Sequence, residues 1–480
     1  MKRLTKKQMI IFAVGQLGWS TLSGIINAML VTFYLPSREN IDEAGAIQFI
    51  KPGLVIFGVL TILGLITAAS RIFDAVTDPL IANLSDRCKS KWGRRMPFMQ
   101  IAAIPLSVVT VLLFCAPVNG VSSKNVVWVS VFIILFYLFM TMYCTPYNAL
   151  ISEFGKTQDD RMFISTAISL TFFAGTLLAY SPMVVAGMLQ GSFGFNMSYR
   201  ICFIVLAAIA CVAMMLPTFL LHEKDYVETK PSGINMFRAL GATFRNREFR
   251  VFVGSDVMYW IGLTLFQTGL PFFVQTSMKL DISLTMYFMG GMTVLSAAFY
   301  PMVAGLTRKF GKKKLTICGF LGLALAYLIT ALINVNVLPG AVFGVAICVI
   351  AAFPMALLGI IPQAIVADVA EADGRTTGEN KEGMFFAART FAMKWGQSIA
   401  MLVFTSLAII GTTQNVDAND ITASPFGLRL VAIVAIAFCL LGALLLTFYN
   451  EKKIMKTIVA ERPAQPTEAP TETDAPSEDA

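Results

Sequence analysis

The sequence has few charged residues for its length. Only 14% of its 480 residues are Asp, Glu, Lys or Arg, whereas a soluble globular domain carries about 25%. So few charges cannot cover a water-facing surface, which excludes a soluble globular protein. The apolar share is correspondingly large, with 56% hydrophobic residues and a mean hydropathy of +0.70.

The sequence also lacks the residues and motifs of most enzymes. His222 is the only histidine, and the eight cysteines are scattered singly, with no CxxC pair that would suit a metal. There is no phosphate-binding P-loop, no nucleophile elbow and no HExxH zinc motif. These absences argue against an ATP-driven pump and against a membrane enzyme, and we expect no catalytic residues and no organic cofactor.

Long apolar runs are what the sequence does have. A run of about 18–25 apolar residues matches the ~30 Å hydrocarbon core as a helix, and a spanning segment must be a helix or part of a closed barrel. The alternating short strands of a barrel are absent. We therefore predict an all-α membrane protein with twelve transmembrane helices, at 9–35, 52–82, 97–117, 125–151, 162–188, 198–221, 249–276, 283–306, 315–336, 338–368, 384–411 and 426–449.

Basic residues are concentrated in every second loop between these runs. Groups of Lys and Arg lie at 2–7, 87–95, 224–250, 308–314 and 452–456, whereas the intervening loops carry few. This asymmetry is the positive-inside pattern, which places both termini in the cytoplasm. The net charge of +8 therefore faces the cytoplasmic leaflet of a lipid bilayer, and we expect no nucleic-acid partner.

The spans divide six and six around the longest charged stretch. We predict an N-terminal six-helix bundle at 1–221, a cytoplasmic linker at 222–248 with a short amphipathic helix at 235–245, a C-terminal six-helix bundle at 249–450 and a disordered acidic cytoplasmic tail at 451–480. The tail is rich in Pro, Thr, Ala and acidic residues from 461 onward, and such a composition cannot bury enough apolar surface to fold.

A short basic turn occurs at the same place in both halves, after the second span and after the eighth. Each turn contains glycine and is predicted to form a cytoplasmic gate, with the residues Asp86, Arg87, Arg94, Arg95, Arg308 and Lys309. Two similar six-helix halves related by an axis along the membrane normal resemble the plan of the major facilitator transporters.

Ionisable side chains occur inside the predicted spans, where they are costly and usually functional. Asp74 and Asp78 are one helical turn apart, so their carboxylates share one helix face, and Arg71 lies three residues before Asp74 on nearly the same stripe. Two carboxylates this close repel each other unless a cation lies between them or one takes a proton. The two carboxylates on this helix face therefore predict a coupling-ion site for Na⁺ or H⁺. Asp256 and Arg389 complete the intramembrane set.

The eleventh span carries a lysine at its middle. Lys394 has Thr390 one turn earlier and Gln397 one turn later, which forms a polar stripe. A lysine near the bilayer centre needs a counter-charge, and Asp74 or Asp78 is the obvious candidate. The alternative is that this lysine and the arginine of the second span only neutralise the two aspartates as a structural ion network. Stability alone is a weak reason for such a network, because replacing buried ion pairs by apolar residues is often neutral or stabilising.

Residues 71–98, RIFDAVTDPLIANLSDRCKSKWGRRMPF, resemble the glycoside–pentoside–hexuronide:cation symporters, the melibiose-permease-like branch of the major facilitator superfamily. That family has an R-x-W-D-x-x-x-D-P pattern followed by a D-R and a basic W-G turn. This chain keeps nearly all of the pattern, with Phe73 at the aromatic position and Ala82 where glycine is usual. Further matches at 145–150 and 367–394 extend the resemblance over most of residues 8–450.

The resemblance implies roles for two sets of residues. A coupling-cation site for Na⁺ or H⁺ is implied at Asp74, Thr77, Asp78 and Thr141. The link between cation and substrate is assigned to Arg71, Thr390 and Lys394.

The substrate pocket departs from the family pattern. Where melibiose-type members bind sugar hydroxyls through Asp, Asp and Arg, this chain has Leu17, Cys144 and Ser169, which argues against galactoside recognition. Membrane-interface belts and packing explain most aromatic residues in such proteins. The polar and aromatic side chains that remain as pocket candidates are Gln16, Trp19, Tyr147, Asn148, Tyr259, Gln267 and Gln397.

The sequence thus predicts a symporter that imports a glycoside, sugar acid or related small organic solute by alternating access. We expect a monomer in the bacterial cytoplasmic membrane. One alternative is a transporter of lysophospholipids or other amphiphiles with the same fold, since the carbohydrate-binding carboxylates are missing. A second alternative is a non-transporting membrane sensor that docks a partner on its acidic tail.

Overall fold

The described part of the chain is almost entirely helical. The computed structural model describes residues 3–42, 44–51, 54–56, 60–88, 90–155, 158–226, 241, 243–333, 335–377, 382–411 and 423–460. The elements are α1 (Lys6–Tyr34), α2 (Arg38–Asp42), β1 (Leu54–Ile56), β2 (Leu60–Thr61), α3 (Ile62–Arg87), α4 (Met96–Leu113), α5 (Ser123–Phe154), α6 (Gln158–Tyr180), α7 (Pro182–Phe193), α8 (Phe195–Leu220), α9 (Glu223–Tyr226), α10 (Arg247–Phe272, continued by a π-helical turn at Phe273–Ser277), α11 (Leu284–Phe310), α12 (Lys312–Ala331), α13 (Gly340–Thr377), α14 (Glu382–Leu407), α15 (Pro425–Thr447) and α16 (Glu451–Ala460).

Ten helical segments of the described residues are long and apolar enough to cross a membrane. Two further long helices, α3 and α14, are less apolar because they carry the charged side chains predicted inside the membrane. With these two, the described residues contain the twelve predicted spans, six in each half. The predicted all-α bundle of twelve long helices, six in each half, is confirmed for the described residues.

Within the described residues the two halves meet mainly along three pairs of helices, and α7 adds a smaller contact with α11. α3 packs along α14, α6 packs against α11, and α1 packs against α10. Because α3 and α11 are the second spans of their halves while α6 and α14 are the fifth, the first two pairs are equivalent under the internal repeat. These six helices enclose the axis between the halves, and α3 and α14 bring the intramembrane charges to it.

We call the end of the bundle that carries Arg95 and Lys312 the basic end, and the opposite end the far end. At the basic end of the N-terminal half, the buried carboxylate of Glu223 accepts hydrogen bonds from the backbone N–H groups of Arg95 (2.8 Å) and Met96 (3.0 Å). The carboxylate thereby satisfies N–H groups that have no partner in the first turn of α4, at the positive end of its dipole.

The C-terminal half repeats this arrangement. Glu451 accepts hydrogen bonds from the N–H groups of Lys312 (2.7 Å) and Lys313 (3.1 Å) at the start of α12. In both halves the turn before the capped helix contains a glycine with positive φ, 118° at Gly93 and 84° at Gly311, a conformation that glycine adopts without steric cost. The internal repeat predicted from two basic turns therefore extends to the glutamates that hold them.

Two predicted spans are shortened or divided in the structure. The second span was expected at 52–82, but α3 begins at Ile62, where Thr61 accepts a hydrogen bond from the Gly64 N–H. Before it, β1 and β2 pair antiparallel, with Leu54 opposite Thr61. A short apolar run rich in β-branched residues fits a strand as well as a helix. The fifth span, expected at 162–188, is divided into α6 and α7 at Pro182, which has no N–H to continue the helical ladder.

The tail predicted as disordered at 451–480 is partly helical. Residues 451–460 form α16, which Glu451 anchors to α12 and in which Ile454 is buried. The acidic composition begins only at 461, so the apolar residues before it were available for packing. Residues 461–480, and residues 235–240 of the predicted linker helix, lie outside the described residues.

Candidate cation and substrate site

Lys394 of α14 contacts both aspartates of α3 and so joins the two halves. Its Nζ lies 2.8 Å from Asp74 Oδ2 and 2.6 Å from Asp78 Oδ2. The Asp74 side chain is only 4% exposed, whereas Asp78 is 23% and Lys394 12% exposed. The one-turn spacing of the aspartates explains the geometry, because it presents both carboxylates to one point on the facing helix.

Two threonine hydroxyls of α5 complete an oxygen cluster. Thr141 Oγ1 donates to Asp74 Oδ1, and Thr145 Oγ1 donates to Asp78 Oδ1 at 3.1 Å. The two threonines are one turn apart, the same spacing as the aspartates they meet. Thr145 was not among the predicted site residues, although its matching spacing on a predicted span was a usable signal. The cluster contains carboxylate and hydroxyl oxygens, the hard ligands that suit an alkali cation.

Thr77 and Arg71 lie close to the cluster but use other partners. Thr77 is buried, and its Oγ1 donates to the backbone oxygen of Asp74 in its own helix at 3.0 Å. Arg71 Nη2 donates to Asn27 Oδ1 of α1 at 2.8 Å, and its guanidinium carbon lies 4.6 Å from the ring centroid of Tyr137. Within the described residues Arg71 forms no ion pair, so it does not neutralise the aspartates by direct contact.

Asp256 and Arg389 form a second ion pair inside the bundle. Arg389 Nε and Nη2 donate to Asp256 Oδ2 and Oδ1 at 2.8 and 3.0 Å. The pair joins α10 to α14 within the C-terminal half, and the Asp256 side chain is 1% exposed. The ion pair is bidentate, and each carboxylate oxygen of Asp256 accepts one hydrogen bond from Arg389.

Several predicted pocket residues, and Thr390 of the predicted link between cation and substrate, have polar groups that are open or unpaired. Gln397 Oε1 and Trp19 Nε1 are buried and have no hydrogen-bond partner among the described residues. Asn148 and Thr390 are exposed, and the Thr390 hydroxyl donates to the Phe386 carbonyl of its own helix at 3.0 Å. Of this group, only Gln397 and Trp19 combine burial with an unused polar atom.

Other predicted pocket residues serve packing. Tyr147 is buried, its hydroxyl donates to the Phe12 carbonyl at 3.0 Å, and the two rings stack with centroids 4.4 Å apart. Gln16 and Tyr259 are also buried. The backbone oxygen of Gln267 accepts the hydroxyl of Tyr180 at 3.3 Å, a contact between the halves.

The predicted gate turns contact acids at the end of the fourth helix of each half. In the N-terminal half Arg94 pairs with Glu153 of α5, and Arg95 Nη1 lies 2.8 Å from the same carboxylate. In the C-terminal half Lys312 pairs with Asp368 of α13 at 2.5 Å. Neither acid was among the predicted site residues, because each lies at the margin of a predicted span, where a charge is common.

Among the described residues, the gate residues Arg308 and Lys309 form no ion pair. Arg308 and Lys309 are exposed, and Lys309 Nζ lies 5.3 Å from the Phe310 ring. The side chains of Asp86 and Arg87, at the end of α3, lie outside the described residues.

The halves are also hydrogen-bonded at the far end. Gln275, in the π-helical turn after α10, accepts from the Ser37 hydroxyl at 2.8 Å and donates to Asn40 Oδ1 at 2.7 Å. These contacts connect the segment after α1 with the end of α10.

Comparison with known proteins agrees with this architecture. The chain is 24% identical to a putative glycoside/cation symporter of Escherichia coli (strain K12), over 85% of this chain and 89% of that protein. It is 24% identical to an isoprimeverose transporter of Lactiplantibacillus pentosus, over 85% of this chain and 84% of that protein. It is 23% identical to a putative sulfoquinovose importer of Escherichia coli (strain K12), over 94% and 92%.

Solved structures share the fold at lower identity. The inward open conformation of the xylose transporter XylE from E. coli matches with a TM-score of 0.64 at 15% identity, covering 94% of this chain and 98% of that one. The nucleoside transporter NupG matches with a TM-score of 0.62 at 15% identity, covering 94% and 99%. A family model described as MFS/sugar transport protein matches residues 11–452. The chain therefore belongs to the sugar transport family of the major facilitator superfamily.

Proposed function

We propose that this major facilitator transporter is a symporter that imports a glycoside, sugar acid or related small organic solute together with Na⁺ or H⁺. The observation that carries the proposal is the contact of one ammonium, Lys394, with two carboxylates, Asp74 and Asp78. A single ammonium balances one of the two carboxylates within ion-pair distance. Among the described residues the second carboxylate has no positive partner of its own at that distance, and one further cation or proton stabilises it inside the membrane.

The coupling ion would bind at Asp74, Asp78 and the hydroxyls of Thr141 and Thr145. There it competes with Lys394 for the same carboxylate oxygens. Lys394 lies on the C-terminal half and the two aspartates lie on the N-terminal half. Weakening the ion pairs between them therefore weakens the interface between α3 and α14, which we call the α3–α14 seam. Alternating access by rocking of two halves around a central site is the usual behaviour of this fold. A ligand drives such a change only as far as it binds the two states differently, and competition with Lys394 supplies that difference.

The membrane potential provides part of the driving energy. We propose that the basic end and both termini face the cytoplasm of a bacterial cell, because the basic loops follow the positive-inside rule. We also propose that the transporter acts as a monomer in the cytoplasmic membrane. One positive charge moving inward then gains about 2.3 kcal/mol per 100 mV.

Accumulation in proteoliposomes tests the proposal. Purified protein is reconstituted, and uptake of radiolabelled methyl glycosides and methyl glucuronides is measured with an inward Na⁺ gradient, an inward H⁺ gradient or neither. We expect accumulation above equilibrium with one of the gradients, and collapse when an ionophore dissipates it. Uptake that only equilibrates under every gradient would contradict symport.

The same preparation separates the alternatives. Uptake of lysophospholipid in place of the sugar derivatives would favour the amphiphile transporter. Absence of flux for all solutes, together with partner binding that is lost on deletion of residues 461–480, would favour the membrane sensor.

A further inference from the structure

A buried arginine that has no counter-ion among the described residues lies one helical turn from the proposed cation cluster. The Arg71 side chain is about nine-tenths buried, with the residue 7% exposed, and within the described residues it has no carboxylate partner. Nη2 donates to Asn27, and the ring of Tyr137 faces the guanidinium. The Nε–H is buried and has no hydrogen-bond partner in the part of the chain that the structure describes.

Such an arrangement is costly unless another interaction offsets it. A buried polar group that lacks a partner costs roughly 1–3 kcal/mol, and more when it is charged. A tyrosine ring gives a cation only about 0.5–2 kcal/mol, and the Asn27 amide oxygen is neutral. These contacts leave the charge of Arg71 without an anion.

The register of α3 against α14 places a second unused polar atom at the same level. Asp74 lies opposite Lys394, and Gly64 lies opposite Thr405, since a Cβ on Gly64 would collide with Thr405 Oγ1. Because the two helices run antiparallel, moving three residues from Asp74 toward the far end reaches Arg71 and the same step from Lys394 reaches Gln397. Gln397 Oε1 is the buried acceptor without a partner among the described residues.

We propose that Arg71 and Gln397 form an anion subsite next to the cation cluster, which takes the carboxylate or sulfonate of a hydroxylated organic acid. This inference rests on the proposed function and specifies its substrate class. The unused guanidinium N–H donates to the acid group, for which a planar guanidinium is well suited. The amide oxygen of Gln397 accepts from a substrate hydroxyl, so the two residues recognise the acid and the alcohol of one molecule.

Charge balance explains why an anionic substrate suits a cation symporter. Asp74 and Asp78 together balance Lys394 and Arg71, so these four side chains are neutral as a group. Adding Na⁺ or H⁺ alone leaves one positive charge, and adding the organic anion alone leaves one negative charge. Only the doubly loaded site is neutral again, and unpaired charge is penalised at low dielectric. Each ligand therefore tightens binding of the other, by the same factor in both directions.

Matched ligand pairs test the subsite. Isothermal titration calorimetry on the purified full-length protein compares methyl glucuronide with methyl glucoside, and 2,3-dihydroxypropane-1-sulfonate with glycerol. Each ligand is titrated twice, once with saturating Na⁺ and once at low pH. We expect the anionic member of each pair to bind at least tenfold more tightly. Arg71→Gln should reduce this preference to near one, and Arg71→Lys, which keeps the charge but loses the planar fork, should lie between. Arg200→Gln, which removes a half-buried arginine of the far end that donates to the Phe114 carbonyl, is the control and should keep the preference.

The outcomes also separate this inference from the symport proposal. Arg71→Gln should still show the thermal shift that the coupling cation produces in the wild type, because Asp74 and Asp78 remain. Equal binding of charged and neutral members by the wild type, or binding of none of the four probes, would overturn the anion subsite whether or not the cation shift is present. Loss of the preference in Arg200→Gln as well as in Arg71→Gln would overturn it too. If Arg71→Gln does not fold, an unchanged preference in both Arg71→Lys and Gln397→Leu would overturn the subsite instead.

Discussion

Two groups of ionised side chains lie inside this bundle, and they are arranged differently. Asp256 and Arg389 are matched one to one, share two hydrogen bonds and belong to a single half. Lys394 is shared by Asp74 and Asp78 and connects the two halves. Arg389 and Lys394 are only five residues apart on α14, about 7.5 Å along the axis, so membrane depth alone does not distinguish them.

The difference indicates that the Asp256–Arg389 pair stabilises the fold, whereas the cluster of Asp74, Asp78 and Lys394 takes part in transport. A satisfied pair within one half moves as a rigid unit and gains nothing from an added ion. The two carboxylates that share one ammonium lie at the interface between the halves. When a cation binds them, they gain a ligand and their contact with the ammonium weakens. We therefore expect substitutions in the first pair to change stability, and substitutions in the second cluster to change coupling.

The largest effect is expected for Asp78→Asn. This variant keeps the Asp74–Lys394 contact and should fold, but it removes one of the two charges that the coupling ion neutralises. Gradient-driven accumulation in proteoliposomes should fall by about two orders of magnitude or more, while exchange of solute at equal concentrations persists. Accumulation at wild-type rates would show that Asp78 takes no part in coupling.

The second largest effect is expected for Asp256→Asn, and it is a loss of thermal stability. Removing one partner leaves Arg389 buried without its counter-charge, which costs about 3–5 kcal/mol. Thermal unfolding should shift to lower temperature, while accumulation per folded molecule stays close to that of the wild type.

The double variant Asp256→Leu with Arg389→Met sharpens this test. Replacing both members of a buried pair by apolar residues is often neutral or stabilising, so thermal stability should recover. A double variant that is stable but unable to accumulate solute would place this pair in the working cluster and remove the distinction.

A smaller effect is expected for the threonines. Thr141→Val removes a hydroxyl that donates to Asp74, and the affinity for the coupling cation should drop by about tenfold, which corresponds to about 1.4 kcal/mol. Thr77→Val is the matched control, because its hydroxyl bonds to the backbone of its own helix. Titration of cation-dependent thermal stability measures both, and equal losses in the two variants would contradict the assignment of Thr141 and Thr145 as ligands.

The smallest effects are expected at the basic end. Glu223→Gln and Glu451→Gln each keep an acceptor for the helix N-terminus but remove its charge, so each should cost about 1 kcal/mol of stability. Because the two glutamates occupy equivalent positions, the losses should be similar. A large loss of accumulation in either variant, at unchanged stability, would show that the basic end also works as a coupling element.

Helix positions and the aspartate face were predictable from the sequence because both depend on local periodicity. The run of apolar residues defined each span, and the spacing of Asp74 and Asp78 defined a common face. The partners of Arg71 were not predictable in this way, since Asn27 and Tyr137 belong to other helices and neither is charged. The strand at Leu54–Ile56 was missed because its apolar residues also suit a helix, and only tertiary context decides between the two.

The roles of polar side chains in the predicted pocket were likewise set by tertiary contacts. Tyr147 and Gln397 both qualified by residue type and by location on a span. In the structure the Tyr147 hydroxyl donates to the Phe12 carbonyl, whereas the side-chain oxygen of Gln397 has no hydrogen-bond partner among the described residues. Sequence spacing places a residue on a helix, but the neighbouring helix decides whether its polar atom is already occupied.

Cation affinity in Lys394→Met tests most directly whether the lysine and the coupling ion compete for the same two carboxylates. The measurement is the stabilisation of the purified protein by Na⁺ and by protons, against choline at equal ionic strength, in wild type and variant. With the competing ammonium removed, the cation should bind more tightly and stabilise the variant by a larger shift than it does the wild type. An unchanged or smaller shift in a folded variant would contradict the competition and, with it, the account of coupling across the α3–α14 seam.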